Sequence, residues 1–289
     1  MFEGSIVAIV TPFKDDKIDE QRLSELIEFH ISEGTSAILP CGCTGEAATL
    51  THKEQEYMIK LVIDIVNKRV PVIAGTGSNS TEEALALTRS AKGAGADGAL
   101  LITPYYNKPT PGGQYLHYEK IAKAVDIPII LYNVPSRTGI SILPQTVAEL
   151  SKIDNIIGIK EASGSLDQVS DIINLCDITV LSGDDALTLP MMALGAKGVI
   201  SVAANVVPKH VARMVKSFLN GNLEESRKIH FNLFPLFKAL FYETNPIPVK
   251  TALGMMGKIS PQLRLPLCEM KKENAERLRG VLIDIGVLS

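Results

Sequence analysis

A (β/α)₈ TIM barrel with a C-terminal helical extension is the fold that the sequence predicts. Short β-branched runs alternate with longer amphipathic stretches, and this alternation is repeated eight times. The short runs are apolar at nearly every position, which is typical of parallel strands buried on both faces. After Gly221 the strand pattern stops and helical patterns remain. A doubly wound open sheet is the alternative, and eight complete units favour the closed barrel.

The predicted elements follow one another without a long unassigned segment. The strand and helix pairs are 5–10 with 20–33, 36–39 with 53–68, 71–74 with 81–93, 98–102 with 114–125, 128–132 with 144–150, 156–160 with 167–175, 179–181 with 186–194, and 198–202 with 209–219. Three further helices are predicted over 223–242, 248–256 and 270–285. We therefore divide the chain into a barrel domain, 1–221, and a helical extension, 222–289.

Local signals support several of the predicted helix ends. The pairs Thr51 with Glu54 and Ser80 with Glu83 have the spacing of capping boxes, and Gly34, Gly93 and Gly195 stand where helices are expected to stop.

Composition and charge point to a small-molecule partner. The 289 residues are 46% hydrophobic and 21% charged, so the chain can bury a large core. A net charge of -3 without clusters of lysine and arginine argues against nucleic acid or an anionic membrane as a partner. The start of the chain lacks a basic segment, and the apolar run 6–10 is too short for a signal peptide, so we expect a cytoplasmic protein.

We expect neither a metal nor an organic cofactor. The four cysteines have no C-x-x-C spacing, and the pair Cys41 and Cys43 has no histidine or cysteine pair nearby to complete a metal site. The segment 75–77 lacks the third glycine of a dinucleotide-binding loop.

Lys160 is the residue around which we expect the chemistry to be organised. It ends the apolar run 156–160, and burial there would lower the pKa of its ammonium group. A neutral lysine amine can attack a carbonyl group and form a Schiff base. The alternative is a lysine at a strand end whose stem packs while its charged end reaches water.

Polar residues follow the other predicted strands, at the face where barrel enzymes place their active sites. Tyr132 lies one strand away from Lys160 and is a natural general acid and base. The loop 42–46 precedes a predicted helix, so its amides are suited to bind an anion. Asp184 and Asp185 would repel phosphate, which favours a carboxylate substrate, and Arg137 is able to pair with a second carboxylate.

Five motifs in order give the chain a family resemblance. They are Gly-x-Thr-Gly-Glu at 42–46, Thr-Pro-Tyr-Tyr-Asn at 103–107, Tyr-Asn-Val-Pro-Ser-Arg-Thr-Gly at 132–139, Gly-Ile-Lys-Glu-Ala at 158–162 and Asn-Pro-Ile-Pro-Val-Lys at 245–250. Together they resemble the 4-hydroxy-tetrahydrodipicolinate synthase family, also called dihydrodipicolinate synthase, over essentially the full chain.

The resemblance implies a lyase, a pyruvate-dependent class I aldolase of lysine and diaminopimelate biosynthesis, without a cofactor. Pyruvate would form the Schiff base on Lys160, and its enamine would attack L-aspartate 4-semialdehyde. By resemblance, Tyr132 exchanges protons, Thr44 binds the pyruvate carboxylate, Arg137 binds the semialdehyde carboxylate, Gly183 and Ile200 shape the site through main-chain contacts, and Tyr106 enters the neighbouring subunit's site. The implied assembly is a homotetramer, a dimer of dimers.

Two features separate this chain from the usual family pattern. Cys43 stands where the family usually has a threonine that relays protons between Tyr132 and Tyr106, and a thiol is a weaker hydrogen-bonding group than a hydroxyl. The family's allosteric lysine site would comprise Ala48, His52, Asn79, Glu83 and Tyr105. Gln55 replaces a histidine frequent in lysine-sensitive members, so the resemblance leaves sensitivity to lysine open.

Three rival functions remain at this point. An N-acetylneuraminate lyase or keto-deoxy-sugar aldolase would share the lysine and Tyr132, although Arg137 suits a small carboxylate substrate better than a sugar. A non-catalytic pyruvate-binding protein would keep Lys160 and lose turnover through Cys43. A metal-dependent class II aldolase is the third, and the strand ends offer it no histidine cluster.

Overall fold

Eight parallel strands form a closed ring at the centre of the molecule. The computed structural model describes residues 2–289. The strands are, in chain order, Gly4–Ala8, Ala37–Leu39, Ile73–Gly75, Gly98–Ile102, Ile129–Asn133, Ile156–Glu161, Thr179–Ser182 and Gly198–Ser201. Each strand pairs with its neighbours in the chain, and the first also pairs with the eighth. A bridge between Ile38 and Val72 joins the second and third strands and closes the ring.

Helices cover the outside of this ring, as the alternating sequence pattern predicted, and one further short helix, Pro135–Thr138, follows the fifth strand and was not predicted. They are α1 (Glu20–Ser32), α2 (His52–Val66), α3 (Thr81–Ala94), α4 (Pro111–Ala124), α5 (Pro135–Thr138), α6 (Pro144–Leu150), α7 (Leu166–Leu175), α8 (Thr188–Leu194) and α9 (Pro208–Leu219). The extension adds α10 (Leu223–Ala239), α11 (Ile247–Met255) and α12 (Lys272–Asp284). The (β/α)₈ barrel with its helical extension is confirmed, and the open doubly wound sheet is wrong. The division into two domains stays a prediction.

The strands read as continuous apolar runs because both of their faces are buried. Ile6, Ile130 and Ile200 belong to a cluster inside the ring. Alternate residues such as Val7 and Leu131 pack outward against the helices. Both clusters exclude water, so a polar strand residue is exceptional unless it lies at the strand's carboxyl end.

Two of the predicted helix-end signals differ in the structure. Thr51 and Glu54 form the expected reciprocal capping box. At the start of α3, Ser80 accepts from the Glu83 amide, but the Glu83 carboxylate accepts from the Ser78 hydroxyl at 2.7 Å instead of returning to the cap. Gly34 and Gly195 stand at the ends of α1 and α8 as predicted. Gly93 does not end α3, which runs to Ala94 and stops at Gly95, with φ of 98°.

A small hairpin, Phe13–Lys14 with Lys17–Ile18, was not among the predicted strands. Its two strands are too short for a period-two pattern to be recognised. Among residues 2–289, no helix has the length and apolarity needed to cross a membrane. The cytoplasmic location stays a prediction.

Candidate active site

Lys160 and Tyr132 are direct neighbours at the carboxyl ends of the sixth and fifth barrel strands. The parallel register of these strands places the two residues opposite each other. The Lys160 ammonium nitrogen lies 4.2 Å from the centroid of the Tyr132 ring. Both side chains are buried, with Lys160 only 6% exposed. An amine and a phenol ring are therefore close together, and both are largely shielded from water.

The environment of Lys160 shifts this residue towards its neutral form. Burial lowers the pKa of Lys160 to about 8, and the positive charge of Arg137 acts in the same direction, while Cys43 and Asp185 oppose the shift. At pH 7 a pKa of about 8 leaves about a tenth of Lys160 as free amine, against roughly one part in three thousand at the ordinary pKa. The site therefore provides a nucleophile at neutral pH.

Tyr132 is held in its protonated form. Burial raises the pKa of the Tyr132 hydroxyl well above its usual range, and the neighbouring Cys43 raises it further, while the positive charge of Arg137 opposes the shift. The Tyr132 carbonyl accepts from the amide and the hydroxyl of Thr103, at 2.9 and 2.8 Å. These contacts fix the end of the fifth strand. Tyr132 can therefore donate a proton to a group that reacts with Lys160.

Gly183 provides the space for the Lys160 side chain. A Cβ atom at this position would lie 3.0 Å from Lys160 Cε and 2.7 Å from Ala162 Cβ. The Gly183 amide donates to the Glu161 carbonyl at 2.8 Å, so this amide is not available to a ligand. Ile200, the other residue assigned to main-chain contacts, is fully buried inside the barrel next to Ile6.

The carboxylates after the seventh strand do not face an open anion site. Asp185 is buried and accepts from the Ser201 hydroxyl and from the amides of Val202 and Ala203, at 3.1 and 2.9 Å for the amides. Burial raises the pKa of Asp185 to about 6 despite these hydrogen bonds. Asp184 accepts from the Ala186 amide at 2.8 Å. Both carboxylates are therefore held by hydrogen bonds within the protein, and the expected repulsion of phosphate stays a prediction.

The loop after the second strand also differs from its prediction. A 3-10 turn, Ala47–Thr49, follows it, and α2 begins only at His52. The Glu46 amide donates to the Cys43 carbonyl at 3.1 Å, and the Ala47 amide donates to the Gly42 carbonyl at 3.3 Å. Because α2 begins only at His52, this loop is not the N-terminus of that helix, and the Glu46 and Ala47 amides are used within the protein. Binding of a substrate carboxylate by the loop stays a prediction.

Thr44 and Arg137 are joined by a residue that the analysis of the strand ends missed. Asn245, from the segment before α11, donates through Nδ2 to Thr44 Oγ1 at 3.0 Å. Its carbonyl accepts from Arg137 Nη2 at 2.9 Å. Cys43, Tyr132, Arg137 and Asn245 line one cavity of about 410 Å³. The cavity has the size of a small-metabolite site.

Comparison with known proteins identifies the family. The model of the dihydrodipicolinate synthetase family matches residues 1–284. The 4-hydroxy-tetrahydrodipicolinate synthase of Thermodesulfovibrio yellowstonii is 58% identical over 290 residues, with all of both chains covered. The crystal structure of dihydrodipicolinate synthase from Aquifex aeolicus has a TM-score of 0.98 at 52% identity, with 99% of each chain covered. The chain belongs to the dihydrodipicolinate synthetase family.

A further structure is informative about a ligand of this family. Dihydrodipicolinate synthase from Acinetobacter baumannii, crystallised in complex with pyruvate, has a TM-score of 0.98 at 46% identity, with all of both chains covered.

Among residues 2–289 of the present chain there is no group of three histidine, cysteine, aspartate or glutamate side chains that could hold a metal ion.

The tyrosines after the fourth strand have different positions in this family member. Tyr105 lines the cavity. Tyr106 is 89% exposed and has φ of 69°, a left-handed conformation that is uncommon for a tyrosine. The structure therefore does not bring Tyr106 into the site of its own subunit. An exposed aromatic ring in a strained conformation is typical of a functional contact.

The candidate lysine site shares the same cavity in part. Ala48, His52, Glu83 and Tyr105 line it, and His52 Nε2 lies 3.9 Å from Glu83 Oε2. Asn79 is not among the lining residues, and its carbonyl accepts from the Asn107 side chain. Gln55, which takes the place of the family's frequent histidine, donates to the carbonyls of Ala47 and Leu50. Sensitivity to lysine stays open.

A buried ion pair supports the loop that carries Thr44. Lys250 Nζ lies 2.6 Å from Glu46 Oε1, and both side chains are fully buried. Lys250 also donates to the Thr11 carbonyl at 2.9 Å. Lys250 was recognised in the sequence only as the last residue of a family motif. A lysine inside an otherwise apolar helix segment was the available signal, because such a residue requires a buried partner.

Proposed function

We propose that the chain condenses pyruvate with L-aspartate 4-semialdehyde to give 4-hydroxy-tetrahydrodipicolinate, through a Schiff base on Lys160. The observation that carries this proposal is the buried Lys160 amine, which lies 4.2 Å from the centroid of the Tyr132 ring at the ends of neighbouring barrel strands. Relatives of more than half identity over the full chain have the corresponding name, and the Acinetobacter baumannii relative was crystallised with pyruvate. A sugar lyase is less favoured, because Arg137 provides a guanidinium for a second carboxylate.

In the first half of the reaction the Lys160 nitrogen attacks the pyruvate C2 carbonyl. The carbonyl oxygen takes a proton from the Tyr132 hydroxyl, the amine loses a proton, and the carbinolamine then loses water to leave the iminium ion. The Thr44 hydroxyl donates a hydrogen bond to the pyruvate carboxylate. Loss of a proton from C3 gives the enamine.

In the second half the enamine C3 attacks the aldehyde carbon of the semialdehyde, whose oxygen takes a proton. Arg137 holds the semialdehyde carboxylate, which fixes the distance between the reacting carbons. The amino group of the substrate then attacks C2, closes the six-membered ring and releases Lys160 as the free amine. No oxidant or reductant is required.

The proposed assembly is a homotetramer. Exposed Tyr106 would reach the site of a neighbouring subunit across one interface. A second apolar surface lies on α7, α8 and α10, where Leu166, Leu194, Phe231 and Phe234 are between 37% and 67% exposed. Apolar patches on neighbouring helices commonly mark contacts between subunits. Two such surfaces per chain are what a dimer of dimers requires.

Replacement of Cys43 by threonine is expected to raise turnover. A hydroxyl is a better hydrogen-bond donor and acceptor than a thiol, and Cys43 lines the same cavity as Tyr132. We expect Cys43→Thr to raise kcat about three- to tenfold, with less than about a threefold change in the KM for pyruvate. The measurement is steady-state kinetics, with the exposed Cys268→Thr as control. Equal kcat values for Cys43→Thr and the native chain would contradict a relay role for this position.

Borohydride trapping tests the proposed function directly. The chain is incubated with pyruvate and borohydride, its intact mass and peptides are analysed, and turnover of aspartate semialdehyde is measured on the same preparation. A pyruvyl adduct on Lys160 together with turnover is the expected result. An adduct without turnover would favour a pyruvate-binding protein, and cleavage of N-acetylneuraminate would favour the sugar lyase. Absence of an adduct combined with chelator-sensitive turnover would favour a class II aldolase.

A further inference from the structure

Asn245 contacts both residues to which we assign the substrate carboxylates. Its side chain reaches Thr44, 201 positions earlier in the chain, and its carbonyl reaches Arg137, 108 positions earlier. Asn245 is itself 5% exposed and lines the cavity. A residue of the C-terminal extension therefore connects the loops after the second and fifth barrel strands at the place where both carboxylates would bind.

The Asn245 amide is not arranged for maximum stability. Its Oδ1 atom is buried and has no hydrogen-bond partner within residues 2–289. A buried carbonyl oxygen without a partner costs free energy, and such groups are uncommon in folded proteins. An aliphatic side chain would avoid this cost. The presence of an amide here is better explained by the hydrogen bond that its nitrogen donates to Thr44.

The hydrogen bond from Asn245 determines how the Thr44 hydroxyl is used. A threonine hydroxyl has one hydrogen to donate and lone pairs that accept. Because the Asn245 amide is the donor in this pair, Thr44 Oγ1 accepts and keeps its hydrogen for another partner. A carboxylate can only accept hydrogen bonds, so it needs this orientation of the hydroxyl.

We propose that Asn245 is a positioning residue, which orients the Thr44 hydroxyl as a donor to the pyruvate carboxylate and holds Arg137 through its main chain. This inference rests on the proposed function and extends its site into the C-terminal extension. The two contacts are separable by mutation. A change of the Asn245 side chain removes the contact with Thr44 but retains the carbonyl that accepts from Arg137.

The test is the pyruvate concentration that gives half-maximal borohydride trapping on Lys160. Thr44→Val removes the hydroxyl that donates to the carboxylate, and Asn245→Ala removes the hydrogen bond that orients this hydroxyl. Each variant is expected to raise this concentration about tenfold. In the double variant we expect less than about a threefold increase beyond Thr44→Val alone, since Asn245 acts through Thr44. The KM for the semialdehyde in Asn245→Ala is expected to change less than about twofold.

Two further variants complete the design. Thr251→Val in α11 removes a hydrogen bond from the Thr251 hydroxyl to the Ile247 carbonyl and should leave half-maximal trapping unchanged. Asn245→Asp keeps the shape of the side chain but presents an acceptor to Thr44, so it should weaken trapping at least as much as Asn245→Ala. It also provides a second measurement if the alanine variant does not fold.

The possible results distinguish the two proposals. The positioning role would be overturned if the double variant raised the half-maximal pyruvate concentration by the product of the two single increases. Native-like trapping in Asn245→Asp would also overturn it. Either result would leave the proposed function intact. A native chain that forms no pyruvate adduct on Lys160 would overturn the proposed function itself.

Discussion

Lys160→Met is expected to abolish the pyruvate adduct and to lower turnover of the semialdehyde at least about a thousandfold. Methionine fills a similar volume but has no nitrogen, so the Schiff base cannot form. The fold should persist, because the substitution removes a group whose charged form is penalised by burial. The measurements are borohydride trapping and kcat. Lys152→Met, which removes an exposed lysine, is the control and should behave like the native chain.

The pH dependence of trapping follows from the same residue. The attacking species is the neutral amine, and the folded protein holds the pKa of Lys160 at about 8. At low pyruvate concentration, the rate of adduct formation should therefore rise about tenfold from pH 7 to pH 9 and level off above this range. A rate that continues to rise to pH 10 or beyond would show that Lys160 has an ordinary pKa and would contradict the role of burial.

Lys250→Met is expected to lower the free energy of unfolding by about 3 to 5 kcal/mol. The reason is that Glu46 would remain buried without the cation that lies 2.6 Å from it. Denaturant unfolding at pH 7 measures the change. Lys152→Met breaks an exposed ion pair with Glu149 at 2.7 Å and should cost less than about 1 kcal/mol.

A double variant separates the charge effect from packing. Glu46→Gln combined with Lys250→Met removes both charges, and we expect it to recover at least about half of the loss. A double variant less stable than Lys250→Met alone would show that lost packing around Phe13, whose ring centroid lies 4.3 Å from the Lys250 nitrogen, dominates. Either result also reports on the loop that carries Thr44, because Glu46 ends that loop.

The sequence was sufficient to predict which residues meet at the strand ends of the barrel. Tyr132 and Lys160 each end an apolar run, and neighbouring parallel strands necessarily place such residues side by side. The helix boundaries were predictable to within a few residues because capping residues act locally. Gly93 and Gly95 show the limit of that method, since both can end a helix and only the path of the backbone selects Gly95.

Contacts between distant segments could not be predicted in this way. Asn245 and Lys250 lie in the extension, and no local pattern specifies that they reach Thr44 and Glu46, about 200 residues away. The hydrogen bonds that Asp185 accepts could not be predicted either, because they also join separate segments of the chain. Its partners are on the eighth strand and the turn after it, and their approach depends on closure of the barrel. Family motifs identified some of these residues without giving a physical reason for them.

A single bridge between the second and third strands closes the barrel, so the strands are paired unevenly around the ring. The fifth and sixth strands share five registered pairs, whereas the second and third share only the pair of Ile38 and Val72. The seventh and eighth strands also share a single registered pair, Val199 with Ser182. Local opening should therefore occur at these two junctions before it reaches the fifth and sixth strands, and in hydrogen exchange the Ile38 amide should lose protection before the Leu131 amide. The segment that carries Thr44 leaves the barrel directly above the junction of the second and third strands. The loop that carries Thr44 can thus move with a weakly paired part of the barrel wall, while the strand that carries Lys160 stays fixed by its five registered pairs.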